Sequence, residues 1–156
     1  MLKDHGKSEL APQAEAIAAK TFIFSELVMK LIDEKRLVPK DGQTVQSFTH
    51  HDSCHAKRHC GVSKQPRQAL QSVGMELKEM YECDTCCGMG GSYTLKEPTI
   101  SMRMLERKLQ NIADTKADFV TVECPGCLIQ ISGGLDKTES PTKARHVAEL
   151  LVDKFK

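Results

Sequence analysis

The 156-residue chain has no tryptophan and only 4% aromatic residues, and it lacks an excess of either charge, with 22 Lys and Arg against 21 Asp and Glu. A nucleic-acid surface built from basic patches and stacking rings is therefore disfavoured. Also missing is any apolar run near the roughly 18 residues of a membrane span, and the N-terminal MLKDHGKSEL has no apolar signal-peptide core. Seven cysteines fall well short of the density that marks a disulfide-stapled scaffold, and an odd number cannot all pair. A chain of this length buries about two-thirds of its unfolded surface without covalent staples. The reading is a protein of a reducing compartment, the cytoplasm, in which the cysteines serve chemistry or metal.

What is present is an alternation of helical and extended patterns. Ser8 to Lys20 is rich in Ala and Glu and predicts a helix, broken at the β-favouring Thr21-Phe22-Ile23-Phe24. A second helix, capped by Ser25, places Leu27, Val28, Leu31 and Ile32 on one face and ends before Pro39, so that residues 1–43 form a helical N-terminal part. After a turn at Lys40 to Gln43, Thr44 to His50 predicts a first strand. Gln65 to Val73 follows as a short helix, and Met75 to Tyr81 as a second strand. Beyond a glycine-rich loop, Pro98 opens an amphipathic helix to about Lys116, with Ile100, Met104, Leu105, Leu109 and Ile112 at helical spacing. Phe119 to Glu123 predicts a third strand, and Pro125 a helix ending at the Gly133-Gly134 stop. An extended piece at Thr142 to His146 and a helix from Val147 to Phe155 close the chain. Strands and helices alternating in this way imply an α/β fold, a mostly parallel sheet with flanking helices.

The cysteines track the strands. Cys54 follows the first, Cys86 and Cys87 the second, and Cys124 and Cys127 the third, with 31 and 36 residues in the two intervals. Loops leaving the carboxyl ends of parallel strands share one edge, where open α/β sheets bind ligands, so a cysteine site at that edge is expected. Cys-x-x-Cys at a helix start lets two thiolates reach one centre. Gly88, Gly90 and Gly91 would let the backbone approach a cluster closely and aim successive amides at sulfur. Adjacent cysteines poorly ligate one small tetrahedral ion together but can serve neighbouring irons.

The motifs His51-Asp52-Ser53-Cys54-His55, Cys86-Cys87-Gly88-Met89-Gly90-Gly91 and Cys124-Pro125-Gly126-Cys127, in that order, resemble the cysteine-rich Cys-Cys-Gly (CCG) domain family. That family includes heterodisulfide reductase subunits and the iron–sulfur subunits of glycolate and lactate oxidases. The stretches CCGMGGSY, ISMRMLERKLQNI and CPGCLIQISGGL look most like the glycolate and lactate oxidase type. The resemblance implies a [4Fe-4S] cluster, noncubane in some relatives, held by Cys54, Cys86, Cys87, Cys124 and Cys127. It also implies an electron-transfer domain or subunit of an oxidoreductase, working with a flavin-containing dehydrogenase subunit or domain and a second iron–sulfur domain. Any association with the inner face of a membrane would run through those partners. Complete family members usually carry two such domains behind a ferredoxin-like segment. This chain shows a single CCG domain over residues 1–156, similar to the C-terminal copy, as expected of a fragment or one half of a two-copy protein. Ser53 replaces the proline common before the first cysteine.

Other readings of the same residues stand beside this one. Cys83-x-x-Cys86 and Cys124-x-x-Cys127 could form a two-knuckle zinc site in a structural or interaction module. Thiol–disulfide exchange at Cys124 and Cys127 is a third, without thioredoxin-like order around it. Cys60 and Cys83 are read mainly as packing or incidental thiols, Cys83 being the better candidate ligand of the two. His50, His51, His55 and His59 crowd around Cys54 and are read mainly as groups that bond the local turn or tune thiolates, with direct ligation, as by His55 and His59 at i, i+4 on a helix, the lesser alternative. Arg58 and Arg67 could offset cluster charge or fix an anionic partner, and are read mainly as solvated surface groups. No Gly-x-Gly-x-x-Gly loop or flavin site is present, so hydroxy-acid chemistry would lie elsewhere.

Overall fold

The computed structural model describes residues 8–40 and 46–156. A 3-10 turn at Ser8–Leu10 leads into α1 (Ala11–Ala18), which carries Pro12 in its first turn, where a missing N–H costs nothing. The chain then breaks, as the β-favouring residues predict, and α2 runs over Phe24–Asp33. Ser25 does not cap it. Ile23 holds the cap position, with the Glu26 carboxylate accepting from its N–H at 2.9 Å. Ser25 lies buried inside the first turn and donates from both N–H and hydroxyl to Glu123, each at 2.9 Å. Of the expected turn, residues 41–43 lie outside the described residues, as do Thr44 and Val45 at the start of the first strand.

Four strands, β1 (Ser47–His50), β2 (Glu76–Leu77), β3 (Phe119–Val122) and β4 (Lys143–His146), form one sheet in the order β2-β1-β3-β4, and every pairing is parallel. The fold is thus α/β, with a parallel sheet flanked by helices. Two helices, α3 (Cys54–Cys60) and α4 (Lys64–Ser72), connect β1 to β2. From β2 the chain passes through α5 (Tyr93–Lys96) and α6 (Pro98–Thr115) to β3. It then continues through α7 (Pro125–Lys137) to β4 and ends with α8 (Val147–Leu151). Every residue of β1 is buried, as befits a strand covered on both faces. On one face Phe48 packs with Val28, Leu70, Val147 and Leu151 of α2, α4 and α8. On the other, Val120 and Val122 meet Leu105, Ile112, Ile131 and Leu135 of α6 and α7. At the start of the sheet, Asp118 Oδ2 accepts from both the N–H and the hydroxyl of Ser47 at 2.7 Å, joining β3 to β1.

Several boundaries differ from the sequence reading. The second strand is two residues long instead of spanning Met75 to Tyr81, because it lies at the sheet edge and the chain leaves it to bury Met80 among α6 and α7. The two short helices α3 and α5 were not anticipated. Gly133 and Gly134 do not stop α7. A Cβ on Gly134 would lie 2.9 Å from Leu109 Cδ1 and 3.0 Å from Leu105 Cδ2, so glycine there lets α7 press against α6. The last helix ends at Leu151, and Phe155 instead bridges to Pro39, with the Lys156 N–H donating to the Val38 carbonyl at 2.8 Å. No helix among the described residues is long and apolar enough to cross a membrane.

Since β1 pairs with β2 on one side and β3 on the other, the chain moves outward one way from β1 and later returns to its opposite side. The point between β1 and β3 is a topological switch, where the loops beyond the strands part and leave a crevice.

Candidate metal centre

The end of β1 and the loop beyond it fill that crevice with buried polar groups: His50, His51, Asp52 and Ser53 are all buried. The His51 N–H donates to the Thr121 carbonyl at 2.9 Å, prolonging the β1–β3 ladder, and the Asp52 N–H donates to the Cys83 carbonyl at 3.0 Å. The loops after β1 and β2 are thereby tied together. His50 is neutral, because burial, with Arg67 nearby, pushes its pKa down to about 3. Its Nδ1 donates to Thr121 Oγ1 at 2.8 Å, whose own hydrogen goes to the Thr49 carbonyl at 3.1 Å. Asp52 is ionised. Burial would raise its pKa, but hydrogen bonds from Arg67 and Ser63 and the Arg67 charge bring it below the usual carboxylate range.

Within this frame an imidazole nitrogen of His51, Cys87 Sγ and Cys127 Sγ all lie within 4.8 Å of one another, and all three side chains are buried. Among the described residues this is the one group of three or more such donors at that spacing. His51 Nδ1 lies 3.2 Å from the Cys83 carbonyl, while Nε2 is buried without a hydrogen-bond partner. A hydrogen bond with Cys127 holds the Cys87 thiol well below its usual range, with burial opposing and the Met89 N–H assisting. The same bond, with burial, pushes the Cys127 thiol up. Cys127 stands in the first turn of α7, where unpaired amides favour negative sulfur.

The other sequence-predicted residues are placed as follows. Cys124 precedes α7, partly buried, with its side chain hydrogen-bonded to Cys127. Cys86 is partly buried and accepts from the Gly88 N–H at 3.4 Å. Cys54 is exposed at the first residue of α3 and stands outside the close group. Gly88, Gly90 and Gly91 all have positive φ. At Gly88 a Cβ would also lie 2.4 Å from the Ser101 carbonyl oxygen, so its glycine lets the loop seat against α6. Cys83, Cys86, Cys124 and Cys127 do not assemble into the two-knuckle zinc set. The Cys83 thiol turns away to Asp52 Oδ2 at 3.5 Å and is pushed up by burial and that carboxylate. Arg67, read as solvated, pairs with Asp52 and Glu79 at 2.7 and 2.5 Å.

Two residues take a larger place in the site than the sequence reading gave them. One is His51 as a buried donor. The other is Lys108, 1% exposed on the inner face of α6, whose Nζ donates to the carbonyls of Glu82 at 2.6 Å and Cys83 at 3.3 Å. Its position was visible in principle, since it falls three residues after Leu105 and four before Ile112 on the core stripe. Burial lowers its pKa while the nearby cysteines raise it.

A doubly wound parallel sheet whose switch point gathers cysteine sulfur and imidazole nitrogen defines an α/β domain organised around a thiolate centre. The chain belongs to the cysteine-rich (CCG) domain family, whose model matches residues 48–132. It is 34% identical over 142 residues to lactate utilization protein A of Lysinibacillus sphaericus (strain C3-41), covering 90% of this chain and 61% of that protein. It is likewise 34% identical over 157 residues to lactate utilization protein A of Geobacillus sp. (strain WCH70), covering 97% and 65%. The probable glycolate oxidase iron-sulfur subunit of Bacillus subtilis (strain 168) is 34% identical over 156 residues, covering 98% of this chain and 34% of that protein. The chain thus spans about three-fifths of the first two relatives and a third of the last.

Proposed function

We propose that this chain is an iron–sulfur electron-transfer domain of a glycolate/lactate oxidase-like enzyme, its [4Fe-4S] cluster held by Cys54, Cys86, Cys87, Cys124 and Cys127. The observation that carries this reading is the buried group of His51, Cys87 and Cys127 at the switch point, with an imidazole nitrogen left unbonded. A buried polar atom without a partner costs about 1–3 kcal/mol, which an occupant of the crevice would relieve. The donor set suits iron or another thiophilic metal. When bound, a cluster supplies a one-electron relay.

The residues around it do the rest. The amides of Gly88 and Met89 offset negative sulfur at Cys86 and Cys87. Lys108 brings a buried cation beneath the same loop. Packing by α6 and α7 keeps water from Cys87 and Cys127. Neither flavin nor hydroxy acid has a site in this reading. Electrons come from a flavin-bearing dehydrogenase subunit or domain and pass through a second iron–sulfur domain, all in the cytoplasm.

A second reading is a single zinc ion on the same buried group, which its compact mixture of nitrogen and sulfur favours. Anaerobic reconstitution followed by iron, acid-labile sulfide and zinc analysis, with electron paramagnetic resonance, separates the two. Iron and sulfide near four each per chain support the cluster. One tightly held zinc with neither iron nor sulfide overturns it.

A further inference from the structure

We propose that His51 is itself a ligand of the centre through Nε2, held in the ligating tautomer by the carbonyl of Cys83. This rests on the iron–sulfur reading above and adds a nitrogen donor to its cysteines. A carbonyl oxygen only accepts, so the His51 Nδ1 that lies 3.2 Å from Cys83 O carries the ring proton. In the neutral ring Nε2 then presents its lone pair. That atom is buried, has no hydrogen-bond partner, and belongs to the ring that stands within 4.8 Å of both Cys87 Sγ and Cys127 Sγ.

The carbonyl that orients the ring is fixed from other directions as well. The Asp52 N–H reaches it at 3.0 Å and Lys108 Nζ at 3.3 Å. A metal-bound histidine characteristically gives its second N–H to such an acceptor, which sets both tautomer and ring plane. Other histidines are differently engaged. His50 Nδ1 is bonded to Thr121, His146 uses both ring nitrogens on Ala148 and Glu123, and His55 and His59 are exposed on α3. Imidazole donates less charge to iron than thiolate does, so a centre with His51 among its ligands has a higher potential than the same centre with cysteine at that position.

The test uses the full chain expressed with 15N-labelled histidine, reconstituted anaerobically and poised in a paramagnetic state for pulsed electron paramagnetic resonance. The expected result is a strongly coupled 15N in the wild-type protein that is lost in His51→Asn, the variant being checked for wild-type far-UV circular dichroism. His51→Cys should keep iron and sulfide while moving the midpoint potential lower. A cluster showing only the weak coupling of a ring hydrogen-bonded to sulfur overturns the ligand assignment and leaves the iron–sulfur reading intact. Strong coupling that survives in His51→Asn also overturns it. Absence of any iron and sulfide overturns both. The wild-type spectrum decides the question even if the variants fold poorly.

Discussion

Arg67 Nη1 donates to Asp52 Oδ1 at 2.7 Å, beneath the loop that carries His51. The Asp52 side chain is 1% exposed, so its charge depends on Arg67, the Ser63 hydroxyl at 2.9 Å and Lys57 at 3.6 Å. Arg67→Met leaves a carboxylate buried without its main partner. Such losses cost about 3–5 kcal/mol, and adding Asp52→Asn should return part of that. Urea unfolding of the single and double variants measures both, and a loss in Arg67→Met below about 1 kcal/mol would show that the carboxylate finds water instead.

The same pair gives a pH dependence. The folded Asp52 pKa lies below the ordinary carboxylate value of about 3.9, because Arg67 and Ser63 overcome the effect of burial. Its contribution to stability is therefore complete above about pH 4 and disappears as pH falls through the lower folded value. In Arg67→Met burial acts unopposed by that partner, so the folded pKa rises and the loss moves to higher pH. Unfolding midpoints from pH 2 to 7 for the two proteins should diverge in this sense.

Neighbouring glycines in α7 should respond oppositely to alanine. Gly133 is exposed and a Cβ there meets nothing within 4 Å, so Gly133→Ala should stabilise by about 0.4–1 kcal/mol through the unfolded chain and helix propensity. At Gly134 the new methyl would press on Leu105 and Leu109, and overpacking of about 1–3 kcal/mol outweighs the same gain. Thermal midpoints that move in the same direction for both variants would refute the contact.

Gly88→Ala combines a φ of +91° with a Cβ placed 2.4 Å from the Ser101 carbonyl oxygen. A rigid backbone atom cannot yield as a side-chain tip can. The variant should lose at least about 2 kcal/mol and bind iron poorly, because Cys86 and Cys87 ride on that loop. Denaturation read together with iron content checks both halves.

Removing single sulfurs should sort the cysteines. Cys87→Ala and Cys127→Ala should abolish iron and sulfide uptake, whereas Cys60→Ala, on an exposed position of α3, should leave both unchanged. Reconstitution should also raise the thermal midpoint of the wild-type protein, and chelation should lower it, since ligand binding adds to folding free energy. Equal uptake by Cys60→Ala and Cys127→Ala would refute this sorting.

Much of this was legible where the cause is local. Pro98 and the 3.6-residue apolar stripe delimit α6 almost to the residue. Three strand ends followed by cysteines led directly to the crevice. What escaped depends on partners distant in sequence. Ser25 looks like a cap until Glu123, 98 residues away, claims both its donors. Gly134 looks like a stop until Leu105 and Leu109 pack over it. His51 was one of four histidines near Cys54, and only the strand order, with β1 beside β3, shows that it faces Cys127 while His55 and His59 point outward on α3. Its position directly after a buried strand was the available clue.

The close seating of α7 on α6 at Gly134 acts as a fulcrum. Seven residues, about 10 Å of helix, separate that contact from Cys127. A rigid rod pivoted there carries the spacing between the Cys127 and Cys87 sulfurs at its far end. Packing at Gly134 and the placing of Cys127 are therefore joined through two turns of one helix, so the metal content of Gly134→Ala, and not only its stability, reports on that contact.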